Sequence, residues 1–277
     1  MAWRFVVAPQ WQGSGSSRAM RLIDGAEAIR GDLPSSRTID VEVPSGAGGA
    51  LGTEVNRLSS ILTVRDRLVQ TLASLDTEET PLVIGGDCGV ELGALGHALE
   101  QHPDLCVLWL DAHGDLNTPE SSTSSAFGGM VLRTLLGDGT ELAAPTTVLR
   151  EDRVVLAGVR ALDDPEVAFL EASTVRFLSA DSATAETVTQ AIAATGASGV
   201  YLHLDLDVLD PAEMNGVGSP IPFGLSLDAV LDIIGSVRDQ TPLIGASIAG
   251  FAPESPAAAD DDLPSILRIL SAITAKR

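Results

Sequence analysis

The 277-residue sequence predicts an α/β fold in which helices cover a mostly parallel sheet, and three observations predict it. Short apolar, β-branched runs alternate with amphipathic stretches along the chain, as in strands joined by right-handed helical crossovers. Aromatic residues make up only 4% while hydrophobic residues make up 45%, which suits aliphatic strands buried on both faces. No repeat, low-complexity tract or Pro/Gly-rich linker divides the chain, so a single domain over 1–277 is expected.

The first strand is expected at 4–8, an apolar run without the long hydrophobic region of a secretory signal. Further strands are expected at 38–43, 81–84, 105–110, 153–157, 174–177, 199–206 and 242–248. Amphipathic stretches at 54–75, 91–101, 128–136, 163–171, 185–194, 226–237 and 263–275 supply helices between them. This order favours a three-layer α/β/α sandwich over a closed barrel. It also directs attention to the carboxyl ends of the strands, where parallel sheets bind ligands.

A formal net charge of −21 leaves no basic stripe to neutralise phosphates, which argues against nucleic acid as a partner. The apolar runs are short and broken by Asp, Gly or Pro, so no membrane span is expected. Two cysteines, Cys88 and Cys106, are too few for a disulfide framework, and a reducing cytoplasm is the expected location. The surplus of acids can serve solubility, or it can gather carboxylates around metal cations.

Three strand ends are dense in polar residues. The run 108–117 (LWLDAHGDLN) takes an apolar strand straight into Asp111, His113 and Asp115, whose alternate spacing puts three ligand-type side chains on one side. Carboxylate and imidazole together suit manganese, iron or zinc. Taken alone the run also fits a polar turn in which Asp115 caps the next segment. In 200–211 (VYLHLDLDVLDP), Asp205 and Asp207 alternate within a strongly apolar strand. Two acids on one face of a buried strand repel and are desolvated, at several kcal/mol each, unless a cation lies between them. The run 83–90 (VIGGDCGV) ends a strand in a Gly-Gly turn from which Cys88 can project into the same cleft. By itself a lone buried cysteine is equally a small apolar filler, as Cys106 is expected to be.

Together the motifs GGDCG (85–89), DAHGDLN (111–117) and DLDVLDP (205–211) resemble, in order, those of the ureohydrolase (arginase/agmatinase) family. The resemblance runs from the first strand to about Pro253. It implies an eight-stranded parallel sheet in a three-layer sandwich and a centre of two Mn2+ ions. It implies Asp111 and Asp205 as bridging ligands, Cys88 and Asp115 at one metal, and His113 and Asp207 at the other. Asn117 and Ser124 match positions that hold an amino-acid carboxylate, Asp163 matches an amino-group contact, and Ser219 is grouped with them as a substrate contact. Read as residues alone, Asn117 and Ser124 can equally satisfy loop backbone.

Three departures separate this chain from the family pattern. Cys88 replaces a histidine ligand, and its thiolate leans toward zinc or iron. Gly128 stands at the proton-shuttle histidine, and Gly250 at the glutamate that pairs with guanidinium. The expected reaction is hydrolysis of a guanidine C–N bond, with Asp207 as a catalytic as well as a ligating residue. Glu254 is the nearest acid in sequence that could replace the shuttle. Loss of these groups, and the space both glycines leave, favour Nω-hydroxy-L-arginine, a less basic substrate, giving hydroxyurea and L-ornithine. The alternatives are another ureohydrolase, of arginase or formiminoglutamase type, or a catalytically weak arginase-like binding protein. The small or acidic stretch 257–262 and the net charge favour a monomer over the trimer common among arginases.

Overall fold

In the computed structural model, which describes residues 2–276, the strands are β1 (Ala2–Ala8), β2 (Thr38–Asp40), β3 (Glu79–Gly85), β4 (Cys106–Leu110), β5 (Val154–Val159), β6 (Arg176–Ser179), β7 (Val200–Asp205) and β8 (Leu243–Ala249). All pair in parallel in one sheet of order β2-β1-β3-β8-β7-β4-β5-β6. Every residue of β4, β5 and β7 is buried, which is why these strands read as near-continuous apolar runs. The edge strand β2 leaves the sheet after Asp40, short of the expected 43, although Val41 N still donates to Val7 O at 2.8 Å.

One face of the sheet is covered by α1 (Arg21–Asp32), α6 (Ala185–Thr195), α7 (Leu227–Gln240) and α8 (Pro256–Thr274). The other carries α2 (Leu58–Ala73), α3 (Glu91–Gln101) and α4 (Val131–Leu135), with α5 (Asp164–Ala172) packing Phe169 and Leu170 at its margin. Each face therefore has its own apolar core. Helix α1 was not among the expected helices: Gly25 and Gly31 weaken its propensity, and packing overrides that. Gly25 is required there, because a Cβ would sit 2.0 Å from the carbonyl oxygen of Phe251. Helix α2 begins at Leu58 rather than 54, since Arg57 adopts a left-handed conformation with φ 59°. Helix α8 begins before the expected 263, capped by Ser255, whose side chain accepts from Ala258 N at 3.2 Å. Among the described residues no helix is long and apolar enough to cross a membrane.

The strand order sets up the site. The chain leaves a gap between β3 and β4, and β7 and β8 later fill it. The four central strands thus bring the three polar motifs together at their carboxyl ends. Arg160, just beyond β5, fixes the loop after β7: its guanidinium donates to the carbonyls of Asp207 (2.8 Å), Val208 (3.2 Å), Leu209 (3.2 Å) and Ile221 (2.7 Å). Arg160→Met, which keeps bulk and removes these donors, should lower the unfolding free energy by about 2–3 kcal/mol, read from the urea midpoint.

Candidate metal centre and active site

Each ligand-type residue reaches the centre for a local reason. At the end of β3, Asp87 caps the following turn, accepting from Gly89 N at 2.8 Å, Gly13 N at 2.9 Å and Gln10 Nε2 at 3.0 Å. That turn aims Cys88 inward, and its Sγ donates to Asp205 Oδ2 at 3.0 Å. Cys88 thus faces the cleft, whereas Cys106 is buried within β4 as a filler. At the end of β4, Asp111 accepts from His113 N at 2.7 Å and from the Trp109 indole at 3.2 Å. At the end of β7, Asp205 accepts from Asp207 N at 2.8 Å, and Asp207 accepts from Ala112 N at 3.1 Å. Asp115 takes a positive φ of 53°, a strained state for a non-glycine residue, and its buried Oδ2 has no hydrogen-bond partner.

These donor atoms fall into two groups that share Asp111. Ligand atoms of Asp111, His113 and Asp207 lie within 4.8 Å of one another, as do those of Cys88, Asp111 and His203. His113 Nδ1 is 3.0 Å from Asp207 Oδ2 and 3.4 Å from Asp111 Oδ1. Without a cation the electrostatics are unfavourable. Burial, then repulsion by Asp207, pushes the Asp205 carboxyl up to about 6, and burial pushes Asp87 to about 6. Burial and the neighbouring Asp111 also raise Asp115 and Asp207. Burial works against charge on His113, yet hydrogen bonds to Asp111 and Asp207 prevail and push its pKa up to about 12. Its proton lies where a divalent ion would sit between imidazole and carboxylates. The orphaned Asp115 oxygen and the mixed N, O and S donors fit two divalent ions held by these residues.

A cavity of about 670 Å³ opens onto this centre. Cys88, His113, Asp115, Asp205 and Asp207 line its floor, while Asn117, Ser124, Asp163 and Ser219 line its walls. Asn117 Nδ2 donates to Asp163 Oδ2 at 3.0 Å, so the two form a preset polar pair. Glu166 holds that pair's backbone, accepting from Leu116 N and Asp163 N at 2.9 and 2.8 Å. Ser124 accepts from Ala126 N at 3.2 Å, which serves its own loop.

Glu254 is a correction. It does not line this cavity but an adjoining one, is exposed, and lies 3.8 Å from Arg18 and 3.5 Å from Arg21 in surface ion pairs. The chain turns outward after Pro253 to cap α8, so closeness in sequence to Gly250 does not bring this acid to the centre. The two glycines also differ. A Cβ at Gly128 would meet only the carbonyl of Gly13, at 3.3 Å, so the missing side chain there leaves open space. Gly250 has φ 87°, and a Cβ would sit 2.1 Å from Asp205 Oδ1. Its backbone has no room for any side chain, contrary to the expectation that it opens space.

Sequence reasoning also missed a buried network behind the centre. Glu91, at the start of α3, accepts from Tyr201 OH at 2.9 Å and pairs with His203 Nδ1 at 2.9 Å. Burial opposes charge on His203, and Glu91 followed by Asp111 and Asp205 raises its pKa. The signal was present as Tyr201 and His203 alternating with Leu in an otherwise apolar strand.

The Arginase family profile matches residues 24–262. An arginase of Bacillus caldovelox is 36% identical over 229 residues, 77% of this chain and 75% of that protein. The chain belongs to the arginase family. The Bacillus subtilis (strain 168) arginase is 34% identical over 183 residues, a match spanning 62% of this chain and 62% of that protein's length. The fold is shared with the Entamoeba histolytica arginase solved with L-ornithine, at 21% identity and TM-score 0.88, covering 99% of both chains. The Bacillus cereus arginase structure is similar at 24% identity and TM-score 0.87, covering 100% of this chain and 99% of that one.

Two outcomes follow from this arginase-family centre. Gly250→Ala should destabilise by about 1–3 kcal/mol or more through backbone strain and contact with Asp205, whereas Gly128→Ala should stay within about 1 kcal/mol in the same thermal melts. The second concerns pH. Asp87 and Asp205 have folded-state values of about 6, above their unfolded ones, so the stability they contribute is present at low pH and lost as pH rises toward that value; Asp115, Asp207 and Glu166 are raised as well and act in the same direction. The half-buried His97 is lowered and works the other way. The melting temperature of metal-free protein should therefore fall between pH 5 and 7. In metal-loaded protein it should rise, because protons then compete with the ions.

Proposed function

We propose that this arginase-family chain is a binuclear-metal amidinohydrolase whose substrate is Nω-hydroxy-L-arginine, with hydroxyurea and L-ornithine as products. Water adds to the guanidine carbon, the bond from that carbon to the ornithine nitrogen breaks, and the departing amine takes up a proton, so atoms and charge balance. The observation that carries the reading is the cavity's asymmetry. One end keeps the Asn117–Asp163 pair with Ser124 and Ser219, polar groups suited to the amino and carboxylate ends of an amino acid. The other end has open space at Gly128 and no side chain at Gly250. The pattern resembles the hydroxyarginine hydrolase of D-cycloserine biosynthesis.

Asp111 and Asp205 would bridge two ions, Cys88 and Asp115 would hold one, and His113 and Asp207 the other. Manganese is the proposed pair, with zinc or iron(II) compatible with the Cys88 thiolate. When bound, such ions supply acidified water and positive charge at the scissile group. The rest is done by the chain. Asp207, held by Ala112 N on Oδ1 and facing His113 with Oδ2, would accept from the attacking water and orient it. Asn117 and Asp163 set the distance from the substrate's amino-acid end to its guanidine carbon. With the cavity bare at 128 and 250, no histidine or glutamate there shuttles a proton to the leaving amine or pairs with a guanidinium.

An ordinary guanidinium is so strongly basic that it stays protonated and needs that help, whereas an N-hydroxyguanidine is less basic and needs it less. Losing a positioned proton-transfer group costs about 10²- to 10⁴-fold in rate, so kcat/KM for Nω-hydroxy-L-arginine should exceed that for L-arginine by this order. Purified manganese-loaded enzyme offered L-arginine, agmatine, formiminoglutamate and Nω-hydroxy-L-arginine side by side tests it. Equal values for the two arginines would return the reading to plain arginase, and no turnover of any would favour a binding protein. Asp111→Asn and Asp205→Asn should each abolish turnover together with metal binding, measured by elemental analysis.

A further inference from the structure

We propose that His203 is an additional metal ligand, giving its Nε2 lone pair to the ion held by Cys88 and Asp111. The inference deepens the binuclear reading above and rests on it. His203 lies two residues before Asp205 on β7, on the same face of the strand and therefore directly behind the centre. It is fully buried, and its Nε2 is among the few buried polar atoms with no hydrogen-bond partner. That nitrogen is 3.9 Å from Asp111 Oδ2, too far for a hydrogen bond, and with Cys88 Sγ the three atoms lie within 4.8 Å of one another. Such separations suit ligands around one ion about 2.0–2.3 Å from each.

The ring is also held as a ligand would be. Nδ1 faces Glu91 Oε1 at 2.9 Å and Ser247 Oγ at 3.0 Å, so Nδ1 keeps its proton and donates it to the carboxylate. Tyr201 donates to the other Glu91 oxygen at 2.9 Å and fixes that carboxylate. Trp109 stacks on the imidazole with centroids 3.7 Å apart and sends its own N–H to Asp111 Oδ2 at 3.2 Å. A carboxylate holding one imidazole nitrogen so that the other binds metal is the usual support for a histidine ligand. Glu91 is buried at the same depth. On binding, the ion displaces the Cys88 thiol proton and any proton on Nε2, both released to solvent, while Nδ1–H stays on Glu91. The histidine that this chain lacks at position 88 is thus supplied from the strand behind it. The resulting S, N and O donor set suits a borderline ion such as zinc better than the harder site at His113 and Asp207.

The chain has only four histidines, so a long-range 1H–15N correlation spectrum of 15N-labelled protein resolves each ring. On titration with zinc, His203 Nε2 should move to the metal-bound position while Nδ1 remains protonated, and His113 should shift as well. His203→Gln, which can still donate to Glu91, identifies the signal by its disappearance. In chelator competition this variant should lose about tenfold or more in affinity for one of its two zinc ions. If His113 shifts and His203 does not, the ligand assignment is overturned while the binuclear reading stands. If neither shifts, both fall. The wild-type spectrum decides the matter even if the variant fails to fold.

Discussion

Carboxylates desolvated side by side repel, and Asp87, Asp111, Asp115, Asp205 and Asp207 are all at least nine-tenths buried around one cavity floor. Several kcal/mol per uncompensated buried charge is comparable with the whole stability of a domain, so such a cluster persists only with positive charge at its centre. That requirement organises what surrounds it. Backbone amides of Gly13, Gly89, Ala112, His113 and Asp207 all point at these acids. Arg160 spends its donors on the loop that carries Asp207 rather than on a carboxylate. The imidazolium of His113 partly neutralises the cluster, and divalent ions would do so fully.

The same constraint makes the two glycine departures different in kind. At Gly128 a side chain is simply absent, and the cavity wall recedes. At Gly250 the backbone lies against Asp205, in a conformation that excludes a Cβ. The opposite wall remains polar through the hydrogen-bonded pair Asn117 and Asp163, so the cavity is asymmetric along its length.

Much of this was legible in the sequence because it depends on local chemistry. Eight apolar runs became eight strands, and the motifs at 85–89, 111–117 and 205–211 met at one site because strand ends in a parallel sheet share an edge. What escaped was set by long-range packing. Helix α1 exists because Gly25 lets it approach Phe251, a partner more than two hundred residues away in sequence. The pairing of Glu91 and His203 escaped because it needs α3 and β7 to be packed together. Glu254 misled for the opposite reason: nearness along the chain says nothing once a turn points the side chain outward.

The strand order carries a consequence for how the protein comes into being. Residues that supply Cys88, Asp111, His113 and Asp115 are made in the first half of the chain, on strands that are not neighbours in the finished sheet. Only when β7 and β8 emerge from the ribosome can they slide between β3 and β4 and close the centre. Until then four of the six proposed ligands lie on strands with an open seam between them, and the centre cannot close. Metal acquisition would thereby be tied to the end of synthesis, and pairings of such long sequence separation favour slow closure.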